Sequence, residues 1–332
     1  MLRLRINTAF LRSRRKRFCG HPVHAKVMSE EYEEVCALVP TRNEAATIAD
    51  VIDGLFEVGV GHVLVVDGNS ADDTAAVAAE HGAEVVQQSG DGKGQAVREG
   101  VSLIEAAYVL LLDGDGTNPP AQASRLLDPL VAGEAEHVVG DRTADMRPGA
   151  MSTLNQIGNR LINRAFHRIH GEDYGDILSG YRAFTAESFD RMFLSAEGFG
   201  IETEMAVECS RHNITTRVVP TTYRARPDDS ETNLHPISDG ARIILTLYSL
   251  AKTSNPLFYF GSIGAGFGTL GVALAGYVAY DWLLHGVSHE VIALVAGVSV
   301  LFGVQLLMFG LLSDLIVTLH REQTRRIERL NK

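Results

Sequence analysis

The sequence predicts an α/β fold with a doubly wound, mostly parallel sheet, followed by an interface helix and a two-helix transmembrane hairpin. Two observations predict the sheet: short apolar runs alternate with segments of helical periodicity from Val35 onward, and polar side chains follow the apolar runs. A third observation predicts the hairpin, since two long uncharged runs near the C-terminus each exceed the ~20 residues that a spanning helix needs.

The predicted strands and helices follow one another along the first part of the chain. Apolar runs at residues 35–40, 63–66, 83–86 and 108–112 predict four strands. Between the first two, apolar residues recur at helical spacing and predict an amphipathic helix over residues 44–58. Ser70 and Asp73 have the spacing of a capping box, which predicts that the next helix begins there.

The fourth strand runs directly into Asp113-Gly114-Asp115. Ligands of parallel sheets bind at the carboxyl ends of the strands. Two carboxylates one residue apart supply the oxygen ligands that Mg²⁺ or Mn²⁺ prefers. A simple Asp-Gly turn would show the same pattern, so from this stretch alone both interpretations remain open.

Polar side chains follow the other three predicted strands as well. Arg42 and Glu44 follow the first strand, Asp67 follows the second, and Asp91 and Lys93 follow the third. Each of these patterns alone is typical of a turn or a helix cap. Four polar strand ends at one edge of a sheet favour a nucleotide-binding site.

The net charge is distributed unevenly along the chain. It is −11 for all 332 residues, and because the first 27 residues hold eight basic and no acidic side chains, the remainder carries −19. A strongly acidic surface suits solubility in concentrated salt and argues against a nucleic-acid partner. These observations lead to the hypothesis of a halophilic protein.

The basic extension, residues 1–34, has no long apolar core and therefore does not fit a secretory signal. A membrane-surface arm, a transit-like segment and translated sequence upstream of a true start are three possible interpretations. The abrupt change of composition at Met28 favours the third.

The C-terminal region, residues 254–332, predicts a membrane hairpin. Residues 253–280 and 291–313 carry no charged side chain. The loop between these runs has no Lys or Arg, whereas basic residues precede the first run and follow the second. By the positive-inside rule the chain is a two-span protein of the cell membrane, with both termini and the α/β domain in the cytoplasm.

Residues 233–253 connect the α/β domain, residues 35–232, to the hairpin. Ile243, Leu247 and Leu250 form an apolar stripe at helical spacing. The pattern favours an amphipathic helix lying in the membrane interface. An ordinary helix of the domain would show the same stripe.

An ordered series of motifs resembles glycosyltransferase family 2, whose fold is GT-A. The first motifs are VPTRNE (39–44), VVDGNSADDT (65–74), GKG (92–94) and LDGD (112–115). The later motifs are similar to the branch of dolichyl-phosphate mannose and glucose synthases: VGDR (139–142), DILSGYRAF (176–184), FGIETE (199–204) and YRAR (223–226).

The resemblance implies roles for individual residues. The nucleotide sugar would contact Pro40, Arg42, Glu44, Asp67, Lys93 and Asp113. The sugar and acceptor side would be formed by Arg142, Ser179, Arg182, Glu202, Glu204, Arg226 and Ser230. Catalysis would depend on Asp113, Asp115, Arg142, Asp176 and Arg226. A divalent cation, Mg²⁺ or Mn²⁺, would be held by Asp113 and Asp115.

Departures from the pattern of the family concern the metal ligand and the contacts to the acceptor phosphate. Many relatives carry a glutamine two residues after the second aspartate, where this chain has Thr117, a weaker metal ligand. The segment Ser230-Glu231-Thr232 stands where Ser-Lys-Leu is often found, which removes one positive charge. The metal identity and some contacts to the acceptor phosphate therefore stay open.

The implied reaction is the inverting transfer of one hexose from a nucleotide sugar to dolichyl or polyprenyl phosphate, with UDP-glucose favoured over GDP-mannose. A lipid phosphate is already anionic at neutral pH, so it needs no general base to become a nucleophile. The alternatives are a transferase with another lipid or glycan acceptor and a non-catalytic subunit that binds polyprenyl phosphate. Membrane lipid is a further expected partner. The sequence does not indicate an oligomeric state.

Overall fold

The structure, a computed structural model, describes residues 32–196, 198, 200–226, 243–245, 247–249, 251–252 and 255–331. Seven strands within these residues form one sheet: β1 Tyr32–Thr41, β2 Val60–Asp67, β3 Glu84–Gln87, β4 Tyr108–Leu111, β5 His137–Met146, β6 Arg182–Thr185 and β7 Thr216–Tyr223. The four strands predicted from the apolar runs are all present.

The helices in the described part of residues 32–226 connect these strands. They are α1 Ile48–Glu57, α2 Thr74–Glu80, α3 Lys93–Leu103, α4 Ala123–Val131, α5 Thr153–His170, α6 Ala186–Asp190 and α7 Ile201–His212. A short 3₁₀ helix, Pro120–Gln122, precedes α4.

The sheet is mostly parallel, as predicted. Its strand order is β3-β2-β1-β4-β6-β5-β7, and β6 is the strand that runs antiparallel to both neighbours. Alternate residues of β1 face opposite layers: Ala37 packs with α1, α2 and α4, whereas Leu38 packs with α3, α5 and α7. Because helices cover both faces, the central strands are apolar throughout their length.

The predicted capping box is wrong. α2 begins at Thr74, and its N-cap residue Asp73 makes no side-chain cap hydrogen bond. Ser70 lies outside the helix, where its hydroxyl donates to Asp67 Oδ1 at 2.5 Å. Asp72 accepts from the backbone N–H of Thr74 at 3.1 Å and so fills the role at the helix start. The Ser70 oxygen, which would accept the cap hydrogen bond, accepts instead from the backbone N–H of Asn43 at 2.9 Å, and sequence spacing does not reveal this contact.

Two C-terminal helices, α8 Pro256–His285 and α9 Glu290–Asn331, pack against each other. Residues 256–285 and 290–319 are long and apolar enough to cross a membrane, and only 11% of each apolar window is buried within the protein. Pairs of aromatic rings join them edge to face, with centroids 4.8 Å apart for Phe260 and Phe309. Length, composition and exposure together fit the predicted hairpin.

The segment before the hairpin is helical at residues 243–245, 247–249 and 251–252. Ile243 and Leu247 of the predicted stripe are buried against the domain, in the same cluster as Phe166 of α5. Leu245, in contrast, is 67% exposed. Leu250 and residues 233–242 lie outside the described residues, and the interface position of this segment stays a prediction.

Candidate active site

The ends of β1, β2 and β4 lie side by side at one edge of the sheet. Thr41 pairs with Asp67, and Leu38 pairs with Leu111, so the residues that follow these strands are neighbours. The backbone N–H of Leu112 donates to the carbonyl of Leu38 at 3.2 Å and carries the alignment to the start of the carboxylate motif. The sheet register therefore explains why the polar strand ends converge.

Asp113 is held by a lysine that bridges two carboxylates. Lys93 Nζ lies 2.5 Å from Asp113 Oδ1 and 2.6 Å from Glu202 Oε1. Burial by itself would lower the pKa of Lys93, but Asp113 and Glu202 outweigh it and the pKa is raised. Lys93 is therefore a permanent positive charge, positioned by α3 and α7 at the end of β4.

The loop before β6 approaches this ion pair very closely. A Cβ atom on Gly180 would lie 2.7 Å from both Asp113 Oδ2 and Lys93 Nζ, so a side chain at this position would displace one of them. Gly180 is thus the residue that lets the 176–180 loop lie against the carboxylate motif.

Asp115 is held by a different set of groups. The backbone N–H and the hydroxyl of Thr117 donate to Asp115 Oδ1 at 3.0 and 2.6 Å. Arg226 Nη2 donates to Asp115 Oδ2 at 2.6 Å, and Arg226 Nη1 lies 3.8 Å from Glu44. Burial by itself would lower the pKa of Arg226, but the nearby carboxylates of Asp115 and Glu44 outweigh it, so the pKa is raised. Thr117 orients Asp115 in this arrangement.

Arg142 and Asp176 form a bidentate ion pair on the acceptor side of the predicted site. Arg142 Nε lies 2.6 Å from Asp176 Oδ2, and Arg142 Nη2 lies 3.1 Å from Asp176 Oδ1. Asn159 of α5 donates to Asp176 Oδ1 at 3.1 Å, and the Arg142 guanidinium lies 5.1 Å from the centre of the Tyr223 ring. Despite burial, Asp176 raises the pKa of Arg142 and Arg142 lowers that of Asp176.

Three further predicted residues contribute to the framework around the site. Arg182 is fully buried and donates to the carbonyls of Ser179 at 2.8 Å and Ile177 at 2.7 Å. Burial, with the charge of Arg182, holds the pKa of His137 well below its ordinary value, so the neutral ring accepts from Arg182 Nη1 at 3.2 Å. Glu204 accepts from the backbone N–H groups of Ser195 and Ala196 at 2.8 and 2.7 Å.

The remaining predicted residues lie where β1 and β2 end or outside the described residues. Asp67 is buried and anchors the loop after β2 through Ser70, whose N–H donates to Asp67 Oδ2 at 3.0 Å. Pro40 lies near the end of β1, and Arg42 follows the strand with an exposed side chain. Ser230 lies outside the described residues, and its role stays a prediction.

The chemistry of the site fits the predicted cation. Within the described residues no group of three or more His, Cys, Asp or Glu side chains is arranged to hold a metal ion. A cation such as Mg²⁺ or Mn²⁺ needs only one or two protein carboxylates when substrate phosphate oxygens complete its shell. The side chain of Asp113 keeps 28% of its surface exposed toward such a ligand.

Asn159 was not among the predicted residues, whereas Gly180 and Tyr223 lie within the motifs that resemble the family, with no individual contact predicted for them. Asn159 and Tyr223 contact the Arg142–Asp176 pair, and Gly180 makes its close approach to Asp113. Asn159 lies on the buried face of an amphipathic helix among apolar neighbours, and that was the available sequence signal. The contact of Gly180 depends on two distant loops and has no local signal.

The fold and this site define a glycosyltransferase with a GT-A fold. The model of the family described as glycosyl transferase family 2 matches residues 36–193. Glycosyltransferase AglJ of Haloferax volcanii is 62% identical over 299 residues, which are 90% of this chain and 98% of that protein. The chain therefore belongs to glycosyltransferase family 2.

Further similarities lie within the same family and fold. A dolichyl-phosphate hexose transferase of Haloferax volcanii is 30% identical over 216 residues, 64% of this chain and 91% of that protein. The structure of glucosyl-3-phosphoglycerate synthase from Mycobacterium tuberculosis with Mn²⁺, UDP-glucose and phosphoglyceric acid has a TM-score of 0.53 at 26% identity, covering 65% of this chain and 79% of that chain. The haloarchaeal relatives also support the hypothesis of a halophilic protein.

Proposed function

We propose that this glycosyltransferase moves one hexose, with inversion, from a nucleotide sugar to dolichyl or polyprenyl phosphate and so makes a lipid-linked sugar for glycan assembly. The observation that carries the proposal is a carboxylate pair that lies beside two arginines in a chain with a membrane hairpin. Asp113 contributes to the raised pKa of both Arg142 and Arg226, so all three groups share one electrostatic environment.

The main difficulty of the reaction is the approach of an anionic acceptor to an anionic donor. A divalent cation held by Asp113 and Asp115 would stabilise the negative charge of the leaving diphosphate. Lys93 adds a positive charge at the same strand end. Arg142 and Arg226 would neutralise the incoming phosphate, because a guanidinium has five N–H donors and the observed ion pairs use only some of them.

Two similarities support the choice of substrates. The dolichyl-phosphate hexose transferase supports a lipid phosphate acceptor. The synthase that binds Mn²⁺, UDP-glucose and phosphoglyceric acid supports a divalent cation, a uridine donor and a phosphate-bearing acceptor on the same fold. The preference for UDP-glucose over GDP-mannose is part of the proposal.

The two long apolar helices support a location at the membrane. We place the catalytic domain and both termini in the cytoplasm, where nucleotide sugars are made, with the lipid acceptor reaching the site from the membrane. The chain is thereby divided into the extension at residues 1–34, the catalytic domain at 35–232, the juxtamembrane segment at 233–253 and the hairpin at 254–332.

A donor screen tests the proposal. Purified full-length protein in lipid is incubated with labelled UDP-glucose or GDP-mannose, dolichyl phosphate and Mn²⁺ or Mg²⁺, and labelled lipid is counted. We expect product from UDP-glucose, and a loss of about a hundredfold or more in Asp115→Ala, because losing the cation site removes several kcal/mol of transition-state stabilisation.

The matched control is Glu57→Ala, since Glu57 is exposed at the C-terminal end of α1, just before β2 begins at the opposite edge of the sheet. It should retain the activity of the unmodified protein. Product from GDP-mannose alone would overturn the donor choice. No labelled lipid from any donor, or label in a different lipid, would contradict the proposed reaction and favour a binding subunit or another acceptor.

A further inference from the structure

α5 has an outward face in which apolar and basic side chains alternate. We call the following residues the α5 face: Leu154, Ile157, Leu161, Arg160, Arg164 and Arg168. The apolar side chains of Leu154, Ile157 and Leu161 are 58%, 57% and 55% exposed, respectively. The three arginines are exposed and lie between them on the same side of the helix. The residues after position 27 are strongly acidic as a whole, so a basic face on α5 is a local exception.

The opposite face of α5 packs in the domain core and binds the loop before β6. Ile162 and Phe166 are buried in the core beneath the sheet. Asn159 and Asn163 hold the loop before β6, since Asn159 donates to Asp176 at 3.1 Å and Asn163 accepts from the N–H of Ile177 at 2.9 Å. The exposed apolar residues are therefore not needed for the core.

The end of α5 contacts the beginning of the first membrane helix. Asn255 is the N-cap residue of α8, and its side chain accepts from the N–H of Phe258 at 3.1 Å. The same side chain donates through Nδ2 to the carbonyl of Ile169, in the last turn of α5, at 2.6 Å. α5 is thus joined directly to the point where the chain enters the proposed membrane span.

We propose that the α5 face docks on the lipid surface, with its apolar side chains among the headgroups and its arginines on anionic lipid phosphates. The inference rests on the proposed membrane anchoring by α8 and α9. Alternating apolar and basic side chains on one helix face are typical of helices that lie in the interface, and arginines near anionic lipid add electrostatic attraction. No carboxylate among the described residues lies within ion-pair distance of these three guanidinium groups.

The charge of the basic extension argues against the extension as the partner that covers the α5 face. The first 27 residues carry eight basic and no acidic side chains, so they would be repelled by the three arginines. A lipid surface satisfies both the apolar and the basic members of the face.

Docking through α5 would connect the membrane to the acceptor side of the site. Asn159 on the inner side of the helix holds Asp176, which in turn holds Arg142. A membrane contact on the outer side would therefore set the height of the Arg142–Asp176 pair above the lipid phosphates. The α5 face is in this sense a positioning surface and takes no part in the chemistry.

A fluorescent probe on the full-length protein tests the docking without measuring activity. The variants Ile157→Cys and Val131→Cys are each made in a Cys19→Ser background, since Cys36 and Cys209 are buried. Val131 is the control because it is exposed on α4, in the other helix layer. Both are labelled with an environment-sensitive dye and placed in nanodiscs of phosphatidylglycerol with headgroup-proximal doxyl lipid.

We expect a blue shift and at least twofold quenching by doxyl lipid at position 157 and neither at position 131. Arg160→Gln, Arg164→Gln and Arg168→Gln together should reduce the quenching at position 157 to the level found in phosphatidylcholine discs. A probe at position 157 that iodide in the buffer quenches as strongly as at position 131 would overturn the proposal. So would a probe shielded from both quenchers, which would indicate a second protein copy.

A third probe separates this inference from the proposed anchoring. Leu270→Cys lies in α8, where the side chain is 52% exposed. Quenching at position 270 by doxyl at mid-chain together with no quenching at position 157 refutes docking by α5 and leaves the anchoring intact. Absence of quenching at position 270 refutes the anchoring itself.

Discussion

Asp176 is fully buried and nevertheless stays charged. Arg142 binds both of its oxygens, Asn159 donates to it, and the backbone N–H of Leu178 donates to it at 3.2 Å. Burial raises the pKa of a carboxyl group, but these interactions outweigh burial and lower the pKa below its ordinary value of 3.8. The Arg142–Asp176 pair therefore stabilises the folded protein only while Asp176 is ionised.

The pH dependence of unfolding should report this pair. A carboxyl group whose pKa is lowered by folding contributes stability that is fully present above its unfolded pKa and is lost as the pH falls through the folded pKa. Asp176→Asn should cost about 3–5 kcal/mol at pH 7, because it leaves a buried Arg142 without its charge partner. Below pH 4 the difference from the unmodified protein should shrink.

Denaturant unfolding followed by circular dichroism, at a series of pH values, measures this difference. The matched control is Asp173→Asn in the same loop, where the side chain is exposed. It should change the free energy of unfolding by less than about 1 kcal/mol. A cost for Asp176→Asn that is the same at pH 7 and below pH 3 would show that charge pairing does not stabilise the loop.

At the scale of elements, glycines decide how closely α8 and α9 pack. A Cβ on Gly303 would lie 2.6 Å from the carbonyl oxygen of Gly264 and 2.8 Å from the N–H nitrogen of Gly268. A Cβ on Gly271 would lie 2.8 Å from the carbonyl oxygen of Ala296. Small residues let two helix backbones approach each other within a membrane, where apolar side chains gain little from leaving lipid.

Gly303→Leu should therefore separate the two helices. We expect a loss of about 1–3 kcal/mol, as for other insertions of volume into a packed contact, measured as a lower thermal midpoint of the detergent-solubilised protein. Gly297→Leu is the matched control on the same helix, since no atom beyond the neighbouring backbone of that helix lies within 4 Å of its Cβ position. Equal midpoints for the two variants would mean that this contact does not hold the hairpin together.

Considered as a whole, the molecule combines an acidic α/β domain with two C-terminal helices that each contain a long uncharged run. The domain carries the site at one edge of its sheet, and the hairpin begins next to α5 through Asn255. The proposed nucleotide donor would come from water and the proposed lipid acceptor from the membrane, so the side on which the domain lies would decide whether the enzyme meets its donor.

Labelling of cysteines in intact cells should reveal this topology. A membrane-impermeant maleimide should modify Ser288→Cys, in the exposed loop between α8 and α9, without permeabilisation. It should modify Ala71→Cys, which is exposed beside β2, only after the membrane is opened. This expectation follows because basic residues precede the first span and follow the second, whereas the loop between the spans has none. Labelling of Ala71→Cys in intact cells would place the domain outside.

Local patterns were sufficient for four of the seven described strands, for the mostly parallel sheet, for the two long apolar helices and for the convergence of the polar strand ends. Strand periodicity, helical periodicity and long uncharged runs are properties of short stretches, and the family motifs added the glycosyltransferase reaction. Parallel strands necessarily bring their carboxyl ends to one edge, so Glu44, Asp67, Lys93 and Asp113 could be expected as neighbours.

Partnerships among side chains could be decided only by the folded chain. Lys93 bridges Asp113 and Glu202, Arg226 reaches Asp115, and Gly180 lies against Asp113, although these residues come from segments far apart in sequence. Ser70 does not cap α2, and its hydroxyl oxygen accepts instead from the N–H of Asn43 in the loop after β1. Such contacts depend on the packing of distant loops within a few ångströms, and no periodicity along the chain encodes that distance.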